Sequence, residues 1–210
     1  EPLATVALDI EPEHIAVSPN GEILAVGNFS AGSVSLLSLI ENRETARIGG
    51  LFKPHNLTFG ADGATLYVAN LGANHVSVID VAAAAMVDEI PVAGPTVVAS
   101  IEEVESYQGI INVTREGGLG FAAHGMSDSL AVIDLESRRT IKRIAVGDRP
   151  WRAYGSPDGR YMVIPNNGDY TVSVVSIETL EVVATLPGAA GMTGVNFDPS
   201  GATAYVISQG

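Results

Sequence analysis

Residues 54–81 read PHNLTFGADGATLYVANLGANHVSVIDV. The alternation of apolar and polar residues predicts three short strands, over 56–59, 65–69 and 76–80. A Gly-Ala-Asp-Gly turn at 60–63 separates the first two, and a polar loop at 70–75 separates the next two. A fourth strand over 86–92 follows at once.

The same order recurs along the chain. The turn glycine falls at Gly21, Gly63, Gly117, Gly159 and Gly201, at intervals of 42, 54, 42 and 42 residues. The third strand keeps the same spacing, since VSLLS ends at Ser38, VSVID at Asp80, LAVID at Asp134 and VSVVS at Ser176. Two markers with one set of intervals define a structural repeat. A period near 40 that holds four strands predicts an all-β fold, a β-propeller of four-stranded antiparallel blades.

The units run over residues 13–51, 53–92, 93–147, 149–187 and 192–210, the last holding two strands only. They form a single domain with about five blades represented and four complete. Residues 3–10, LATVALDI, alternate like a strand and are expected as an outer strand of a further blade. The interval of 54 places about a dozen extra residues at 95–108, PTVVASIEEVESYQ, between the second blade and the third. Such an insertion is either a tolerated loop or a docking loop.

Composition narrows the function classes. With 46% hydrophobic residues, 210 residues suffice for a sizeable core. The apolar runs are four to six residues long, and none approaches the roughly 20 needed to cross a bilayer. A net charge of −13 argues against nucleic acid as a partner, because phosphate binding needs clustered Lys and Arg. The absence of cysteine removes disulfides, thiolate nucleophiles, Cys-ligated zinc and CxxCH haem attachment. No Ser-His-Asp set, HExxH helix, P-loop or dinucleotide fingerprint is present, which leans against an enzyme.

Three stretches, LYVANLGANHVSVIDV (66–81), SDSLAVIDLESRRTIKRIAVGDRP (127–150) and PDGRYMVIPNNGDYTVSVVS (157–176), resemble the YVTN-type β-propeller repeat. The resemblance covers nearly all of the chain outside 95–108. It implies an exported prokaryotic protein, periplasmic or extracellular, and often seven blades, so that this chain would be part of a longer propeller. Relatives include surface-layer proteins, lactonase-like proteins, the haem d1 domain of nitrite reductase and the large subunits of quinone-dependent amine dehydrogenases. Haem and a metal ion are therefore the cofactor classes left open.

The repeat also maps a surface. In antiparallel blades the start of the innermost strand lies beside the end of the second, at one mouth of the central channel. The first set supplies Glu13 and His14, His55 and Asn56, and Trp151 and Arg152. The second supplies Asn28, Asn70, His124 and Asn166. His75, in the loop after Asn70, lies on the same face, so all four histidines do.

The expected ligand-binding face is therefore His14, His55, Asn70, His75, His124, Trp151, Arg152 and Asn166, with a protein or a small ligand as partner. Each has a structural alternative. The asparagines can cap strand ends, the histidines can be hydrogen-bonded in a wet channel, and Trp151 can pack between blades. As ligands, His55 and His124 would offer neutral imidazole nitrogens to a metal, with Glu13 near His55. His124 stands where the other blades have asparagine, and Trp151 beside Arg152 suits stacking on a planar ligand. The basic group Arg138, Arg139, Lys142 and Arg143 falls on an outer strand, where charge guards an exposed edge.

Overall fold

The computed structural model describes residues 4–92, 108–113 and 118–209, the middle stretch by its backbone alone. Every regular element in it is a strand. The first sheet is β1 (Pro12–Val17), β2 (Ile23–Asn28), β3 (Ser33–Ser38) and β4 (Arg43–Gly49). The second is β5 (Pro54–Phe59), β6 (Thr65–Asn70), β7 (His75–Asp80) and β8 (Ala85–Pro91). The third is β9 (Gln108–Val113), β10 (Leu119–His124), β11 (Ser129–Asp134) and β12 (Arg139–Ala145). The fourth is β13 (Tyr154–Gly155), β14 (Tyr161–Asn166), β15 (Thr171–Ser176) and β16 (Glu181–Pro187), and β17 (Met192–Phe197) pairs with β18 (Ala204–Ser208). Strands neighbour one another in chain order and run antiparallel throughout. The first strands β1, β5 and β9 lie side by side, so the sheets radiate as the blades of a propeller.

The continuous apolar runs follow from this stacking, because a middle strand is covered on both faces. On β6, Leu66 and Val68 pack with Ala25, Val34 and Leu36 of the first sheet. The alternating Tyr67 and Ala69 pack against Ala122, Ala131 and Ile133 toward the third. Strand β10 repeats the division, with Ala122 facing the second sheet and Phe121 and Ala123 facing Met162 and Ile164 of the fourth. Gly27 permits the closest approach: a Cβ there would lie 2.9 Å from the Pro54 carbonyl oxygen and 3.1 Å from Leu57 Cδ1. The repeat glycines Gly21, Gly63, Gly159 and Gly201 sit at φ of +74°, +70°, +72° and +73°. That left-handed backbone is open to glycine without steric penalty.

Two expectations change. Residues 4–10 form no strand, although they alternate. Asp9 is held instead by side chains of the first sheet, accepting from Ser33 Oγ at 3.2 Å and pairing with Arg47 at 3.2 Å. The outer-strand basic group also does more than guard an edge. Arg143 Nε donates to the Val92 carbonyl at 2.9 Å, Thr140 Oγ1 donates to the Pro91 carbonyl at 2.6 Å, and Arg138 faces Asp88 at 3.6 Å. These contacts tie the rims of the second and third sheets. The expected insertion at 95–108 lies outside the described residues except for Gln108, which opens β9.

Candidate functional site

One backbone irregularity, repeated, shapes the end of the sheets where the first strands begin. In the pairing of β1 with β2, Pro12 faces Asn28 and His14 faces Gly27, so Glu13 is skipped. In the second sheet Pro54 faces Asn70 and Asn56 faces Ala69, so His55 is skipped. In the fourth, Pro150 bridges Asn166 alone and the ladder resumes only at Tyr154, which leaves Trp151, Arg152 and Ala153 outside it. The residues before these prolines, Glu11, Lys53 and Arg149, all have positive φ, at 57°, 44° and 50°. Bulges of this kind bend a strand and re-aim its side chains. Glu13, His55 and Trp151 thus occupy equivalent positions and meet at the mouth.

The His14 and His55 rings stand 4.3 Å apart between centroids, and Trp151 lies edge-on to His55 at 6.1 Å. Phe29 approaches His55 at 6.3 Å, and Lys53 Nζ lies 5.5 Å from the Phe29 ring. Arg152, from the fourth sheet, donates through Nη2 to His14 Nε2 of the first at 2.7 Å, while its guanidinium lies 6.0 Å from the Trp151 ring. A guanidinium has donors only. His14 Nε2 must therefore accept, which leaves the proton of the neutral ring on Nδ1. Glu13 Oε2 is 3.9 Å from both His14 Nδ1 and His55 Nε2. His14 Nδ1, His55 Nδ1 and Arg152 Nε are buried without a hydrogen-bond partner.

Burial first, and then the charge that His14 carries when protonated and that of Arg152, push the His55 imidazole down to about 4. Burial and Arg152 lower His14 in the same way. Burial, reinforced by Glu11, raises the Glu13 carboxyl. A stability dependence follows for His55, which is 8% exposed. The unfolded chain takes up a proton near 6.5 and the folded chain only near 4, so stability is complete above the higher value and falls as pH drops between them. The expected loss is on the order of 2 kcal/mol, with Glu13 working in the opposite sense at the acid end. Urea unfolding at pH 7.5 and pH 5 measures it, and a His55→Gln variant should reduce the difference, leaving the smaller part that the lowered His14 and His124 contribute in the same sense.

The other mapped residues stay within their own sheets. Asn28 Nδ2 donates to Ser33 and Ser35, Asn70 Nδ2 to Ser77 and the His75 carbonyl, and Asn166 Nδ2 to Thr171 and Ser173. His124 replaces this bond set with its own: Nδ1 meets Ser127 Oγ at 2.9 Å, and Ser127 meets Ser129 at 2.8 Å. It is 1% exposed, and burial lowers its pKa. His75 Nε2 faces Glu89 at 3.6 Å on the rim of β7 and β8.

His55 and His124 are thus not brought together, whereas His14, His55, Trp151 and Arg152 are, with Glu13. Among the described residues Glu13, His14 and His55 form the one cluster of potential metal ligands, with donor atoms within 4.8 Å of one another. Phe29 and Lys53 were not singled out by sequence. Their signal is an aromatic residue just after the strand-end asparagine and a cation just before the blade-opening proline.

No family model matches the chain, and no curated protein matches it. Solved structures do. A chain of Kuenenia stuttgartiensis hydrazine synthase superposes with a TM-score of 0.79 at 24% identity, over 94% of this chain and 55% of that one. A functionally unknown protein from Desulfotomaculum acetoxidans superposes with a TM-score of 0.77 at 12% identity, over 96% of this chain and 64% of its own. The chain therefore spans 55% and 64% of the lengths of the chains it matches. At these identities the likeness is one of fold. The protein is an all-β propeller.

Proposed function

We propose that the chain is the binding portion of an exported YVTN-type propeller, a binding or scaffold module that takes a protein or small ligand at its channel mouth. The observation that carries the reading is the meeting of His14, His55, Trp151 and Arg152 from three sheets, with His14 Nδ1, His55 Nδ1 and Arg152 Nε left unpaired. Buried polar atoms without partners are destabilising unless something at the site uses them. Aromatic edges around a few convergent polar groups are the usual make-up of a ligand site. The YVTN assignment and export are supported by the motifs at 66–81, 127–150 and 157–176, and the net charge of −13 suits a solvent-facing protein without a nucleic-acid partner.

Trp151 is the sole tryptophan, so intrinsic fluorescence reports on this mouth directly. A panel of small uncharged and carboxylate-bearing organic compounds, sugars and lactones should contain one that changes Trp151 emission and raises the melting temperature, with both effects lost in Arg152→Ala. A stabilising compound that acts equally on wild type and Arg152→Ala would place binding elsewhere. Turnover of any panel compound that vanishes in His55→Ala would replace the module reading with a hydrolase of lactonase-like type. The likeness to a hydrazine synthase chain supports a second reading, a propeller subunit of a redox assembly. A visible absorption band in the purified protein would favour it.

A further inference from the structure

We propose that Glu13, His14 and His55 form a site for one divalent first-row transition-metal ion, and that Arg152 opposes its loading. The proposal rests on the mouth being a binding surface and names what it binds. Its three donors are two imidazole nitrogens and one carboxylate oxygen, the set that zinc, cobalt, nickel and copper share. A single oxygen, Glu13 Oε2, lies 3.9 Å from a nitrogen of each histidine. A tetrahedral ion about 2.0–2.2 Å from each donor holds its ligands about 3.3–3.5 Å apart, so Glu13 Oε2 must close on each nitrogen by roughly half an ångström, and the two nitrogens, which lie within 4.8 Å of one another, must draw together as well. Glu13 sits in the bulge, where the strand is not held by the ladder, which frees its carboxylate to approach, and the half-buried His14 ring, once released by Arg152, supplies the rest. His55 is 8% exposed and directs Nε2 toward the same oxygen, so the site has a dry wall and one open side for water or another ligand.

Arg152 gives the site a second state. With Nε2 accepting from Arg152 at 2.7 Å, the His14 proton lies on Nδ1, the atom that faces Glu13. Coordination needs the Nδ1 lone pair, so the proton must leave Nδ1 while Nε2 acquires one. The ring keeps its charge and changes tautomer. Nε2–H then faces the Arg152 donors, and two donors without an acceptor repel. The positive guanidinium also opposes a dication electrostatically. Loading therefore requires Arg152 to release His14. An anionic occupant is disfavoured at the same spot, because the Glu13 carboxylate lines it.

Metal-stripped protein titrated with cobalt(II) and, separately, with zinc by calorimetry tests both parts. The expected result is one equivalent bound, with a visible cobalt band of low symmetry. Glu13→Gln and His55→Ala should each weaken binding by about a hundredfold, and Arg152→Ala should tighten it by about tenfold. Glu13→Gln keeps the shape of the side chain, so its loss of binding is read on a folded protein, checked by circular dichroism. Equal affinity in wild type, Glu13→Gln and His55→Ala would overturn the site. Weaker binding in Arg152→Ala would overturn the opposition by Arg152. No binding by wild type or Arg152→Ala, with the Trp151 response to an organic ligand intact, would sink the metal and leave the binding module standing.

Discussion

Phe121→Ala will unfold at markedly lower urea than the wild type, with a loss of about 4 kcal/mol. The side chain is fully buried and fills the seam between the third and fourth sheets, among Ala123, Leu130, Ile144, Met162 and Ile164. Strand pairing on both sides holds its neighbours in place, so the seam closes little when the ring is removed. Truncation then loses the transfer free energy of the ring and leaves a cavity as well. Because stacked repeats are stabilised mainly through contacts with their neighbours, the seam should also become the weakest point in the stack. A transition that splits into two steps, or a shallower urea dependence, would show this. A loss under about 1 kcal/mol would contradict the packing described for the seam.

Asn70→Asp is the second large effect, and pH reveals its cause. Asn70 is fully buried, and its amide nitrogen lies 2.9 Å from Ser77 Oγ and 3.3 Å from the carbonyl oxygens of Val68 and His75. A carboxylate of the same shape would turn an oxygen toward those carbonyls and bury an unpaired charge, at about 3 kcal/mol. Burial raises the pKa of such an Asp above its unfolded value, so the deficit is full at neutral pH and shrinks as pH falls toward the unfolded value near 4. Urea unfolding of variant and wild type at pH 7 and pH 4.5 gives the difference free of the His55 effect, which both share. A deficit that stays constant with pH would assign the loss to shape rather than charge.

Much of the architecture was legible because it is carried by local requirements that recur. A left-handed turn needs its glycine, a strand end between two sheets needs a capping asparagine, and middle strands covered on both faces need unbroken apolar runs. Gly63, Asn70 and the run from Leu66 to Ala69 record all three within eight residues. The site was legible in part. Ranking positions by their place in the repeat put His14, His55, Trp151 and Arg152 at one mouth, but it also put His124 and Asn166 there. Only coordinates separate the innermost strand, which reaches the channel, from the second, whose polar side chains are spent inside the blade. The bulges that aim Glu13 and His55 leave no mark in composition or period, since any residue can be the one skipped. His124 looked exceptional because it replaces an asparagine, yet it performs the same local task with the help of Ser127 and Ser129.

The bond from Arg152 to His14 joins residues 138 apart in sequence, whereas the rim tie from Arg143 to Val92 spans 51. Hairpins and adjacent sheets close short loops and can form early, but a latch of this reach must await the stacking of everything between its ends. During synthesis the mouth therefore cannot exist until the fourth sheet has left the ribosome. A probe that reads the Arg152–His14 bond would therefore report the stacking of all four sheets at once, rather than the formation of any one hairpin.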